Sequence, residues 1–236
     1  VISRNLEIKM DKNLKRCTDL HVEKTLSNLK KNNMEAYYVE SKEEAISLIE
    51  SLINEGDTIA FGGSTTLREI GFFDLVKNGK YNLLDRDKEG LTREQAQNIN
   101  RQAFLSDAYF ASANAITEHG EIYEVDGNGN RVAAITFGPK NVFIVAGYNK
   151  IVKNMRDAVE RVKNTACPAN TMRLNIGTQC NSTGTCVNGG KCDERNLMAV
   201  NAGSCPNSIC SFSSVISHQT NVNRIKVIII EENLGF

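Results

Sequence analysis

The feature that most constrains this chain is an early strand–helix–strand rhythm that ends in a glycine–hydroxyl loop. Ala36-Tyr37-Tyr38-Val39-Glu40 has strand composition, and Ser41 with Glu44 three residues later forms a capping box that opens a helix. Ile46, Ile49 and Ile53 recur along it at helical spacing, and Asn54-Glu55-Gly56-Asp57 turns the chain into Thr58–Phe61. Two strands joined by a crossover helix imply a parallel sheet with a right-handed connection. With 236 residues the chain is long enough to bury a proper core. The expected fold is therefore α/β, a parallel or mixed sheet with helices on both faces. No linker or repeat divides it, so residues 1–236 are read as one domain, with 167–223 as a cysteine-rich lobe inside it.

The second strand runs into Gly62-Gly63-Ser64-Thr65-Thr66-Leu67. Glycines let the backbone approach a ligand, and a helix start offers unpaired N–H groups and a positive dipole end. Neither a Walker loop nor a dinucleotide fingerprint is present. The plain alternative is a glycine turn followed by a Ser/Thr helix cap. A strand's carboxyl end is where open α/β sheets bind ligands, so Gly62 to Thr66 are candidate anion-binding residues.

Around this unit, residues 11–33 read as a helix, and Leu67 and Ile70 continue a third helix from about Thr65. Tyr81–Leu84 is a short strand candidate, and Thr92 with Gln95 caps a helix reaching about Leu105. Ala108–Ser112, Glu121–Val125, Val132–Phe137, Val142–Ala146 and Ile225–Ile230 read as further strands, with a dense turn signal at Asp126–Asn130. An amphipathic helix begins at Ile151 and is expected to stop at Ala166-Cys167-Pro168. From there to about Asn223 periodicity is weak.

Lys+Arg and Asp+Glu balance at 28 each, which gives no general field toward nucleic acid or a membrane. No apolar run has the length of a membrane span and residues 1–30 are too polar for a secretory signal, so a cytoplasmic location is expected. Of seven cysteines, Cys180, Cys186, Cys192, Cys205 and Cys210 crowd into one polar, glycine-rich segment. Their separations are five, five, twelve and four residues, of which only the last suits the close pair of a zinc site. In a reducing compartment this crowding points to a zinc or iron–sulfur site more than to disulfides.

Glu118 is the candidate catalytic carboxylate. It follows an apolar strand and precedes His119-Gly120, where a desolvated carboxylate could serve as base or nucleophile. The plain alternative is a surface glutamate in a hairpin connection, with His119 a loop histidine. Asp126 most simply starts a turn through its side chain.

Several segments together resemble the LUD-domain (lactate-utilisation, DUF162) family: Gly62–Leu67, Asn114-Ala115-Ile116-Thr117-Glu118-His119-Gly120, Asp126–Ala133 and Gly138-Pro139-Lys140-Asn141-Val142. The resemblance runs from about Asp11 to the end of the chain. It implies a fold similar to the ribose-5-phosphate isomerase and CoA-transferase superfamily, in which a glycine–hydroxyl loop cradles phosphate or acyl groups. Thr117-Glu118-His119-Gly120 is similar in form to the Ser-Glu-Asn-Gly motif of class I CoA transferases, whose glutamate forms an acyl-CoA thioester. Here Thr replaces Ser and His replaces Asn. The implied function is a component of lactate or organic-acid utilisation. The alternatives are an enzyme on CoA thioesters or sugar phosphates using Glu118, and a non-catalytic ligand-binding subunit. The implied ligand contacts are Gly62, Gly63, Ser64, Thr65, Thr66, Asn114, Thr117 and Asn130. Cys180, Cys186, Cys205 and Cys210 look like the family's cysteine cluster, with Cys192 as a competing third ligand. The expected partners are a small anionic substrate, redox subunits and a second copy of the chain.

Overall fold

The structure is a computed structural model that describes residues 11–186, 205 and 207–236. In chain order the helix α1 (Lys12–Lys31) and strand β1 (Glu35–Val39) are followed by α2 (Lys42–Leu52), β2 (Thr58–Phe61), α3 (Thr65–Glu69) and α4 (Phe72–Val76). Then come β3 (Asn82–Leu83), α5 (Arg93–Gln102), β4 (Ala108–Ala111), β5 (Ala115–Thr117), β6 (Ile122–Asp126) and α6 (Asn130–Phe137). The remainder is β7 (Asn141–Gly147), β8 (Ile151–Val152), α7 (Met155–Arg161), α8 (Cys167–Arg173), α9 (Gln179–Thr183), β9 (Phe212–Ile216) and β10 (Ile225–Ile230).

Six strands form the central sheet in the order β1-β10-β7-β4-β2-β3, and each of its ladders is parallel. Alternation along each strand sends side chains to both faces. Tyr109, Val142, Ile144, Val227 and Ile229 join α1 and α6 residues such as Val22, Leu29 and Ile135 on one face. Phe61, Phe110, Phe143, Val145 and Ile228 meet α2, α3 and α4 residues such as Ile49, Leu67 and Phe72 on the other. There Phe110 stacks on Phe143 with ring centroids 4.5 Å apart, a contact worth about 1 kcal/mol beyond its burial. The expected parallel sheet covered on both faces is what forms. A second sheet, β8-β5-β6-β9, lies against the first face.

Strand order places the ligand crevice. From β2 the chain steps outward to β3, whereas from β4 it proceeds the other way to β7 and β10. The loops leaving β2 and β4 therefore diverge, and an open sheet binds ligands at such a switch point, beyond the carboxyl ends of its strands.

Three local expectations are corrected. Val132–Phe137 is helical, not a strand. Gly129 adopts φ +74° before it, and Asp126 accepts the Val132 N–H at 2.8 Å, which starts a helix where apolar composition suggested a strand. Its buried residues are Ala134 and Ile135 while Phe137 is exposed, so the face is one-sided. Ile151 and Val152 are a short strand, and the helix starts at Met155 after Asn154, whose side chain accepts the Asp157 N–H. That helix does not stop at Cys167-Pro168. A π turn over residues 162–166 widens it, the Cys167 N–H reaching back to the Val162 carbonyl, and Pro168 falls in the first turn of α8. Proline tolerates that place because its absent N–H has no obligation there. Strand β9 was hidden by its polar sequence, Phe-Ser-Ser-Val-Ile, which pairs with β6 at the sheet edge.

Among the described residues, no helix is long and apolar enough to cross a membrane.

Candidate functional site

A polar cleft of about 280 Å³ opens at the switch point. Its walls come from the loops after β2 (Gly63, Ser64, Thr65) and β4 (Ser112, Asn114), the β6–α6 connection (Asp126, Asn128, Asn130, Arg131), and α8. The size suits a small metabolite.

The glycine pair has a steric purpose. A Cβ at Gly62 would sit 2.9 Å from the Tyr109 hydroxyl and 3.1 Å from Arg131 Cδ, and one at Gly63 would sit 3.3 Å from Arg86 Nη2. Bare backbone thus lets arginines from two directions lean against the loop. Ser64 caps α3 by accepting the Leu67 N–H, the plain reading of that hydroxyl, while also lining the cleft.

Lys150 forms part of the floor. It follows β7 and is only 3% exposed, and its Nζ donates to the Ser112 hydroxyl at 2.8 Å and the Thr66 hydroxyl at 3.1 Å. Ser112 donates onward to Thr66, which donates to the Leu234 carbonyl. Burial, with Arg161 and Arg131 nearby, brings the amine down to about 7, against partial compensation by Glu124 and Glu69. A buried ammonium beside neutral hydroxyls is costly, so the proton is easily lost.

Arg131 is committed to the wall. Its guanidinium meets Asp126 at 2.9 Å and Glu124 at 3.0 Å, and donates to the Ser112 and Val125 carbonyls and to the Asn114 side chain. Burial opposes its charge, but Glu124 and Asp126 outweigh that and raise its pKa. Both Glu124 oxygens lack an aligned hydrogen bond, and burial pushes that carboxyl up to about 7. Asn114 accepts from Arg131 and from the Val125 N–H, and its carbonyl accepts from Arg161.

Arg86 and Arg173 are less committed. Arg86 reaches Asp87 and Asn100, each at 3.3 Å. Arg173 donates to the neutral Asn170 side chain, and burial and the nearby Arg68 and Arg86 lower its pKa, Asp87 opposing them. Like charges converge at the mouth of the cleft.

Of the residues expected to contact ligand, Gly63, Ser64, Thr65, Asn114 and Asn130 line this cleft. Gly62 shapes the loop behind it and Thr66 acts through Lys150. Thr117 is buried elsewhere, donating to Glu121. Glu118 lies outside the cleft lining too. Its carboxylate, 8% exposed, meets Lys24 at 2.7 Å and His21 at 2.5 Å on α1, and Lys24 leads in holding it below the usual carboxylate range. The adjoining turn is the seat of α1: Asn28 donates to the Glu118 carbonyl and Asn32 to those of His119 and Gly120. Lys150, Arg86 and Arg173 were not legible as site residues, because a single Lys or Arg carries no signal until the fold collects them.

Two of the expected metal ligands, Cys180 and Cys210, meet at Cys167. Cys210 Sγ lies 2.8 Å from Cys167, which Cys180 also hydrogen-bonds, and Cys180 contacts the Thr171 and Thr178 hydroxyls. Among the described residues no three His, Cys, Asp or Glu side chains come together to hold a metal. Cys192 lies outside the described residues.

Fold and site together define an open-sheet α/β protein with a basic cleft at its switch point. The LUD domain family model matches residues 22–230, and the chain belongs to that family. Among solved structures it is similar to a DUF162 family protein from Deinococcus radiodurans, at 15% identity and TM-score 0.47, covering 92% of this chain and 98% of that one. It is also similar to eIF2B beta from Chaetomium thermophilum, at 14% identity and TM-score 0.34, covering 48% and 43% of the two chains. No curated protein matches.

Proposed function

We propose that this LUD-domain protein binds a small anionic metabolite, a carboxylate or a phosphate, in the switch-point cleft, and serves organic-acid utilisation of the lactate type. The observation that carries the reading is the convergence of Arg86 and Arg173 at the mouth over the buried amine of Lys150. Like charges gathered in a concave polar site gain from an anion between them, and arginine forks suit carboxylate and phosphate oxygens. Lys150, titrating near neutrality, supplies a group that gives or takes a proton at the bound molecule. Glu118 is ill suited to accept an acyl group, since Lys24 and His21 occupy its carboxylate and the cleft lies elsewhere.

Calorimetric titration with inorganic phosphate, lactate and acetyl-CoA, on the wild type and an Arg86→Ala/Arg173→Ala double variant, tests the reading. Saturable binding of at least one anion, weakened tenfold or more in the double variant, is expected. Equal affinity in the two proteins would overturn the cleft assignment.

A further inference from the structure

We propose that Lys150 captures carbonyl compounds, forming an imine with a small molecule that carries an aldehyde or ketone next to an anionic group. The inference rests on the anion-binding reading of the cleft and goes beyond it by assigning the amine a covalent role.

The hydrogen-bond pattern fits a nucleophile. A neutral amine has two N–H donors and one lone pair, and the two donors have acceptors in the Ser112 and Thr66 hydroxyls. Each of those hydroxyls passes its own proton onward, Ser112 to Thr66 and Thr66 to the Leu234 carbonyl. The chain of donors is thus complete with the lone pair left over, and Lys150 lines the cleft. The groups that act on its charge are Arg161 and Arg131, which disfavour protonation, and Glu124 and Glu69, which favour it. The anionic part of the ligand falls to Arg86 and Arg173 at the mouth.

In the step itself, the Lys150 lone pair forms a C–N bond to the carbonyl carbon while the C=O π pair moves to oxygen. Nitrogen gives up one proton as that oxygen becomes a hydroxyl. Loss of water then breaks the C–O bond, nitrogen supplying its second proton, and leaves C=N. The amine and the carbonyl are consumed, one water is released, and no oxidant or reductant enters. The Ser112 and Thr66 hydroxyls stand within hydrogen-bond reach to relay the protons.

The test is reductive trapping on the full chain near neutral pH. Protein is incubated with glyoxylate, with glyceraldehyde 3-phosphate or with propionaldehyde, each with cyanoborohydride, and adducts are mapped by peptide mass spectrometry. Expected is an adduct at Lys150 formed at least tenfold faster than at exposed lysines, with one of the anionic carbonyls well ahead of propionaldehyde, and suppressed by excess inorganic phosphate. Preference for glyoxylate assigns a 2-oxo acid and preference for the phosphorylated aldehyde a sugar phosphate. Labelling spread over surface lysines with Lys150 untouched would overturn the proposal. So would labelling of Lys150 by propionaldehyde as fast as by the anionic probes. Calorimetry without reductant separates the two readings: anions that bind while Lys150 stays unlabelled leave the cleft and remove the imine.

Discussion

Lys150 Nζ stands 2.8 Å from the Ser112 hydroxyl, which ties the loop after β7 to the loop after β4 at the floor of the cleft. The tie puts a titratable amine where almost no water reaches, at 3% exposure. Its proton equilibrium is consequently part of the protein's stability. The amine is lowered to about 7 in the folded chain against 10.5 when free, so between these values the unfolded chain binds more protons. Stability therefore rises with pH across that window, and the penalty is fully present below about 7. Lys150→Met removes the effect. Denaturant titrations over this range are expected to show wild-type stability gaining on the variant as pH rises, by up to about 1.4 kcal/mol per pH unit. Parallel curves for the two proteins would rule this out.

Glu124 predicts the opposite slope. Burial raises its carboxyl from 4.5 to about 7, so the folded chain holds the proton longer and stability falls as pH rises through that interval. Glu124→Gln should flatten this limb while leaving the limb above neutrality, which belongs to Lys150. The measurement is the wild-type minus variant difference in unfolding free energy at several pH values.

How much of this was legible depended on the range of the deciding contact. The helix start at Thr65 under its Ser64 cap and the capping box at Thr92 and Gln95 were readable because their partners lie within a few residues. Val132–Phe137 misled because composition favoured a strand, while the outcome was set by the Asp126 side chain and the backbone of Gly129. The sequence around Glu118 gave no sign of its carboxylate partners, His21 and Lys24, which lie 97 and 94 residues away on α1. Lys150 gave no local sign, since burial of a lysine is decided by the sheet order that brings β4 and β7 together.

Arg131 should behave as a brace rather than as a ligand contact. Removing it leaves Glu124 and Asp126 together in the wall without their cation. Breaking such a pair from one side costs about 3–5 kcal/mol. Arg131→Ala is expected to lose stability on that scale, and adding Glu124→Gln should recover part of the loss. Additive effects of the two substitutions, read from a denaturant double-mutant cycle, would show that they do not share an interaction.

The Thr117–Gly120 turn offers the sharpest separation of structure from function. Gly120 has φ +78°, and a Cβ there would lie 2.6 Å from the backbone of Asn28 and Leu29, so Gly120→Ala must push α1 off its seat. Strained φ and a backbone clash together are expected to cost more than about 2 kcal/mol. Glu118→Gln is milder. Lys24 and His21 are each 52% exposed, so solvent weakens the pairing and the loss should be about 1 kcal/mol. Because Lys24 and His21 hold the Glu118 carboxyl below its usual value, that contribution is present above the free carboxylate range and disappears as acid protonates the group. Neither substitution touches the cleft. Anion affinity per folded molecule, measured by calorimetry, should therefore stay within about twofold of wild type. A Glu118→Gln protein that keeps its stability but loses anion binding would assign the glutamate to the site.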